Sequence, residues 1–66
     1  MTYIVSETPL GATLHWRYAD GKGGSCSFPT PAAARAYAKD VEGFTLTWHR
    51  EGPKGMRTWT AEARAS

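Results

Sequence analysis

Two stretches of the chain alternate strictly between large apolar and small or polar side chains. This two-residue period constrains the fold more than any other feature. In Thr13-Leu14-His15-Trp16-Arg17-Tyr18, residues Leu14, Trp16 and Tyr18 point one way and Thr13, His15 and Arg17 the other. Phe44-Thr45-Leu46-Thr47-Trp48-His49-Arg50 repeats the pattern. A helix would scatter these apolar residues around its circumference, whereas a strand gathers them on one face. The chain is therefore expected to build an antiparallel sheet with one face covered and one wet.

Turn signals divide the rest of the β-forming sequence. Thr2–Ser6 is rich in strand formers and is followed by a turn or loop at Thr8-Pro9-Leu10-Gly11. Asp20-Gly21-Lys22-Gly23-Gly24 supplies the positive φ angles of a hairpin loop, so Gly24–Phe28 is the return strand. Pairing Tyr18 with Gly24 sets Trp16 against Cys26 and Leu14 against Phe28, which joins the apolar positions. It also sets His15 against Ser27 and Arg17 against Ser25. Gly52-Pro53-Lys54-Gly55 marks a second hairpin, with Met56–Ala63 as the last strand. A four-residue loop would pair Glu51 with Met56, Trp48 with Trp59, Leu46 with Ala61 and Phe44 with Ala63.

Between the hairpins lies a helix. Thr30 is a good N-cap and Pro31 suits the first helical position, although Ala33 leaves the capping box incomplete. Ala32–Val41 has high helix propensity, with Ala34, Tyr37, Ala38 and Val41 as the apolar stripe and Arg35 and Lys39 facing water. Gly43 stands where a C-cap glycine belongs. The element order is β-β-β-α-β-β: a single small α+β domain over residues 1–66, an antiparallel sheet with one helix on its apolar face. A chain of 66 residues buries only about 60 % of the surface its unfolded form exposes, so each large side chain counts. Trp16, Phe28, Tyr37, Leu46 and Trp48 are expected in the core. Thr2–Ser6 and the last strand are expected at the sheet edges, and no Lys, Arg or Pro guards the former. That invites a homodimer or an edge-bound partner.

The bulk numbers exclude several classes. One cysteine, Cys26, cannot form an internal disulfide. It is expected to pack as a small hydrophobe. No apolar run approaches the 18 or so residues of a membrane span, and MTYIVSETPL lacks the basic and apolar regions of a signal peptide. A reducing, cytoplasmic setting is the expectation. His15, His49 and Cys26 match no zinc spacing. The phosphate-loop, dinucleotide and HExxH motifs do not occur. His15 beside Ser27 resembles part of a serine dyad, yet nothing orients the imidazole and so small a domain offers little pocket. The expectation is a binding module and not an enzyme, with no cofactor and no metal.

Binding residues follow from the wet face and the hairpin tips. Thr13, His15, Arg17, Ser25, Ser27, Thr45, Thr47, His49, Thr58 and Thr60 form a hydroxyl-rich surface with two imidazoles. Ser and Thr hydroxyls reach phosphates, and β-ribbons enter the DNA major groove. Lys22 marks one tip, and Arg50, Lys54 and Arg57 surround the other, with Arg50 facing Arg57 in the expected register. Eight Lys/Arg against six Asp/Glu give a net charge of +2, which permits an anionic partner without demanding one. Arg17, Lys22, Arg50, Lys54 and Arg57 are the candidate nucleic-acid contacts. The rival expectation is a protein partner: an inhibitor of a host protein, or a homodimer.

Residues 16–41, WRYADGKGGSCSFPTPAAARAYAKDV, resemble the end of the arm-type DNA-binding domain at the N-terminus of phage tyrosine integrases. The shared layout is Trp16-Arg17, then Asp20-Gly21, a strand ending in Phe28, Thr30 and an alanine-containing helix. In that family a three-stranded sheet backed by the helix lies in the major groove. The resemblance implies that Arg17, Ser25, Ser27 and Lys22 face DNA. The family's basic return strand is here Ser25-Cys26-Ser27, and a hairpin at 44–63 follows where the family continues into a core-binding domain. The layout also resembles short phage-borne proteins of unknown function.

Overall fold

A computed structural model describes residues 1–63. The elements follow the expected order: β1 Thr2–Thr8, β2 Gly11–Arg17, β3 Gly23–Phe28, α1 Pro31–Glu42, β4 His49–Glu51 and β5 Thr58–Glu62. They form one antiparallel five-stranded sheet in the order β3-β2-β1-β5-β4. The first strand is thus central, contrary to the expectation of an edge. Pro9-Leu10 makes a tight two-residue turn that joins β1 to β2, and β5 returns to the other side of β1. The gain from this order is burial. Val5 meets Leu14 and Trp59, and Tyr3 meets Trp16 and Ala61, so both β1 side chains sit in the core. Met1 extends the ladder by exchanging backbone bonds with Ala63 (2.8 and 3.0 Å).

Helix α1 begins as its sequence dictates. Ala33 N–H donates to the Thr30 hydroxyl (3.1 Å), and Gly43, at φ 81°, closes the helix by donating to the Lys39 carbonyl. The helix lies against β1, β2 and β3 through Ala34 and Ala38, whose small side chains let it approach closely. Tyr37 and Val41 flank this contact and stay about half exposed, so Tyr37 is not the core residue its spacing predicts. Tyr37 packs instead on Phe28, ring centroids 5.3 Å apart. The part of the sheet beyond the helix is covered by residues 44–48, which are not a strand. Leu46 is buried there with Trp59 and Ala61, and Trp48 packs against the same cluster half-buried. Phe44 is exposed, and Thr45 and Thr47 lie outside any strand, Thr47 beside His49, Thr60 and Glu62 of the open face.

Both hairpins are shifted from the expected registers. In β2–β3 the loop is two residues shorter than the expected five, leaving Ala19-Asp20-Gly21. Gly21 N–H donates to the Tyr18 carbonyl, and Tyr18 N–H to that of Lys22. Gly21 at φ 89° supplies the left-handed position such a turn requires. Trp16 therefore faces Gly24, Leu14 faces Cys26, His15 faces Ser25 and Arg17 faces Gly23. The Trp16 ring lies across Gly24, where a β-carbon would come within 2.6 Å of it. In β4–β5 the loop is longer, so Trp59 faces Arg50, and neither the Trp48–Trp59 nor the Arg50–Arg57 pairing forms. Both shifts are by two residues, so every side chain keeps its face.

Candidate nucleic-acid interface

The face of the sheet turned away from α1 reads as three cross-strand rows. One row is Gly23–Arg17–Thr2–Glu62, the next Ser25–His15–Ile4–Thr60–His49, and the third Ser27–Thr13–Ser6–Thr58–Glu51. Eight of the ten residues expected on the wet face are here: Thr13, His15, Arg17, Ser25, Ser27, His49, Thr58 and Thr60. The two imidazoles share a row, but three inter-strand steps put them about 14 Å apart, too far to hold one ion. His15 faces Ser25 rather than Ser27. Cys26 lies on the opposite face and is exposed, contrary to the expectation that it packs as a small hydrophobe.

Charge divides this open face. On the β2–β3 side Arg17, His15, Ser25 and Thr2 line a shallow concavity of about 330 Å³, floored by Gly23 and Gly24 and bordered by Gly21. The glycines create the hollow, since they leave the corner without side chains. Arg17 and the adjacent tip residue Lys22 are exposed, and neither makes an ion pair among the described residues. The tip is nonetheless ordered by its own chemistry, as the Asp20 carboxylate accepts a bond from Lys22 N–H (2.9 Å). On the β5–β4 side the face carries Glu62 and Glu51, with the Thr2 hydroxyl donating to Glu62 (2.8 Å).

The remaining candidate cations are elsewhere. The 18–22 tip lies at the end of the sheet where β1 begins, and the 52–57 loop lies at the end where β1 finishes. A seven-residue strand separates them by about 20 Å, more than twice the screening length at physiological salt. Lys54 is exposed at the far loop, and Arg50 projects from the helix side of β4 opposite Trp59. Arg57 is already engaged. Its Nε and Nη2 both donate to Glu7 at 2.9 Å, and its guanidinium lies 5.1 Å from the Trp59 ring centre. The Glu7 carboxylate also accepts from the backbone N–H groups of Gly55 and Arg57 (3.0 and 3.2 Å). The Arg57 side chain is the main cause holding Glu7 down to about 2, and the same pair raises the Arg57 pKa.

Of the five predicted contact residues, Arg17 lines the hollow, Lys22 is exposed at the neighbouring tip outside its lining, and Lys54, Arg50 and Arg57 lie elsewhere. Sequence reasoning passed over Thr2, which the register brings beside Arg17, and it passed over Glu7. The signal for Glu7 was present: it shares the parity of Tyr3 and Val5, so a carboxylate on the covered face calls for a cation. No family model, curated protein or solved structure matches this chain.

Proposed function

We propose that this chain is a non-enzymatic binding module that contacts nucleic acid through the open face of β1–β2–β3. One observation carries this reading. At a single corner, Arg17 lines a glycine-floored hollow with the His15 imidazole and the Ser25 hydroxyl, the exposed Lys22 stands at the adjoining tip, and neither cation has a carboxylate partner among the described residues. Cations and hydroxyl donors hold phosphate oxygens, and missing side chains let a sugar-phosphate backbone come close. The acidic residues Glu51 and Glu62 disfavour phosphate on the other half of the face, which limits the footprint to the three strands backed by α1. The resemblance to the end of integrase arm-type domains covers residues 16–41, which hold the end of β2, β3 and most of α1.

The test is a titration of fluorescently labelled duplex and single-stranded DNA at low salt. Binding is expected with a dissociation constant of about 10⁻⁴–10⁻⁶ M, weakening steeply as salt rises. Combining Arg17→Ala with Lys22→Ala should lower the salt slope by about two, alike for every sequence. Lys54→Ala, at the opposite end, should leave the corner's contribution intact. A wild-type protein that binds neither DNA at about 50 µM would sink the nucleic-acid reading and put a protein partner in its place.

A further inference from the structure

The two edges of the sheet are built differently. β4 is three residues long and charged on both faces, with His49 and Glu51 on one side and Arg50 on the other. Short, charged edges resist pairing with another strand. β3 has six residues, Gly23–Phe28, with no charged side chain and no proline, and all but Phe28 are exposed. Its hydrogen-bonding direction follows from the hairpin. Tyr18 N–H bonds the Lys22 carbonyl, so by antiparallel alternation Gly24, Cys26 and Phe28 bond β2. The backbone N–H and C=O groups of Gly23, Ser25 and Ser27 therefore point outward, away from the sheet.

We propose that β3 is the docking edge for a second copy of this chain, paired antiparallel about a two-fold axis at Ser25. β3 carries its own complement. With Ser25 opposite Ser25 of the second copy, Gly23 and Ser27 pair with each other on both sides, and every outward backbone group finds a partner. Sliding two residues one way sets Gly23 against Pro29, which has no N–H to give, and the other way sets Ser27 against Gly21, which is bent into its turn at φ 89°. No like charges meet along the seam, and Gly, Ser and Cys side chains raise no steric barrier. Because the axis is perpendicular to the sheet, both helices lie on the same side. On the helix side the exposed Cys26 then stands opposite Gly24 of the second copy, and Phe28, with Tyr37 packed on its ring, stands opposite Lys22 of that copy. The register also brings the Asp20 tip towards Thr30 of the second copy. There it faces the start of a helix whose first turn has no acidic residue. The inference is independent of nucleic-acid contact, and its test contains none.

Sedimentation of the full chain from about 10 to about 500 µM should show a shift from monomer to dimer, since strand pairing with a small apolar flank makes a small interface. Ser25 is exposed on the open face, so Ser25→Lys and Ser25→Glu should both keep the fold, as circular dichroism checks. Each variant alone sets like charges directly opposite and should weaken the dimer at least about tenfold. A one-to-one mixture of the two should restore it. Wild type that stays monomeric at the highest concentration would overturn the proposal. So would a dimer indifferent to the charge at position 25.

Discussion

The two hairpin tips look alike in sequence and differ in what their cations are free to do. Each is a glycine-containing turn with a lysine at its centre: Asp20-Gly21-Lys22-Gly23-Gly24 and Gly52-Pro53-Lys54-Gly55. The first folds on itself, through Asp20 and the Gly21 turn, and leaves Lys22 exposed next to Arg17, which lines a hollow; neither makes an ion pair among the described residues. The second is folded back onto the body of the protein. Glu7 binds its backbone at Gly55 and Arg57, and Arg57 is spent on Glu7 and the Trp59 ring. A basic turn is thus available to a ligand only when the fold has no use for its charge, and that depends on residues distant in sequence.

The largest effect should come from removing what the second tip rests on. Trp59 is 5 % exposed and is covered by the guanidinium groups of Arg35 and Arg57 at 4.9 and 5.1 Å. Truncating such a side chain to alanine costs about 3–5 kcal/mol. That is comparable to the whole stability of a domain this size, so Trp59→Ala should not give a cooperative melt at 25 °C or above. Trp48→Ala, at a half-buried position outside the sheet, should cost about 1–2 kcal/mol and still fold. Equal losses in the two variants would mean that the second hairpin is not anchored through Trp59.

The first tip can be broken without touching the second. A β-carbon at Gly23 would come within 2.0 Å of the Trp16 carbonyl oxygen and 3.2 Å of Arg17 Cα, both backbone atoms with little room to yield. Gly23→Ala should therefore cost about 1–3 kcal/mol, measured as denaturant midpoint. The NMR signals of Tyr18–Ser27 should shift while those of Glu7 and Arg57 stay in place. A variant of wild-type stability would show that the glycine corner is looser than its geometry.

These contrasts also mark how far the sequence could be read. Faces were legible because the side-chain period in a strand is two: Leu14, Trp59 and Ala61 point to the core, and Arg17, His15 and Ser25 point away. Registers were not, because a loop's length depends on where its turn closes. Gly21 shortens one loop, and Glu7, some 48 residues from Gly55, holds the other in its longer form. Strand order was hidden for the same reason. Nothing local to Thr2–Thr8 says that β5 will return beside it, and once it does, β3 becomes an edge. Cys26, which a covered strand would bury, is then left exposed. Of the site, Arg17 and Lys22 were readable as unpaired cations next to glycines. Their separation from Lys54 and the capture of Arg57 were not.

The smallest effect concerns the clamp itself, and it carries a definite sign in pH. Glu7 sits at about 2 in the folded protein against an ordinary value of 4.5, chiefly through the Arg57 side chain and further through the Arg57 and Gly55 amides. A folded-state pKa below the unfolded one stabilises the fold above the unfolded value, where the carboxylate is ionised in both states. Between 4.5 and 2 the unfolded chain takes up a proton that the folded protein still refuses, so stability falls as the pH falls. Below both values the contribution is gone. Arg57, whose pKa the pair raises, stays charged throughout and adds no step of its own. The side chains of Arg57 and Glu7 retain 30 % and 14 % of their exposure, so solvent screens the pair and the effect is modest. Melting temperatures of wild type and Glu7→Gln should therefore differ most above pH 5 and draw together as the pH falls to about 2. The Arg57 Nε–H NMR signal should move over the acid end of the same range. Parallel melting curves would mean that the second tip is held by Trp59 and the backbone alone, with its arginine as free as the cations of the first.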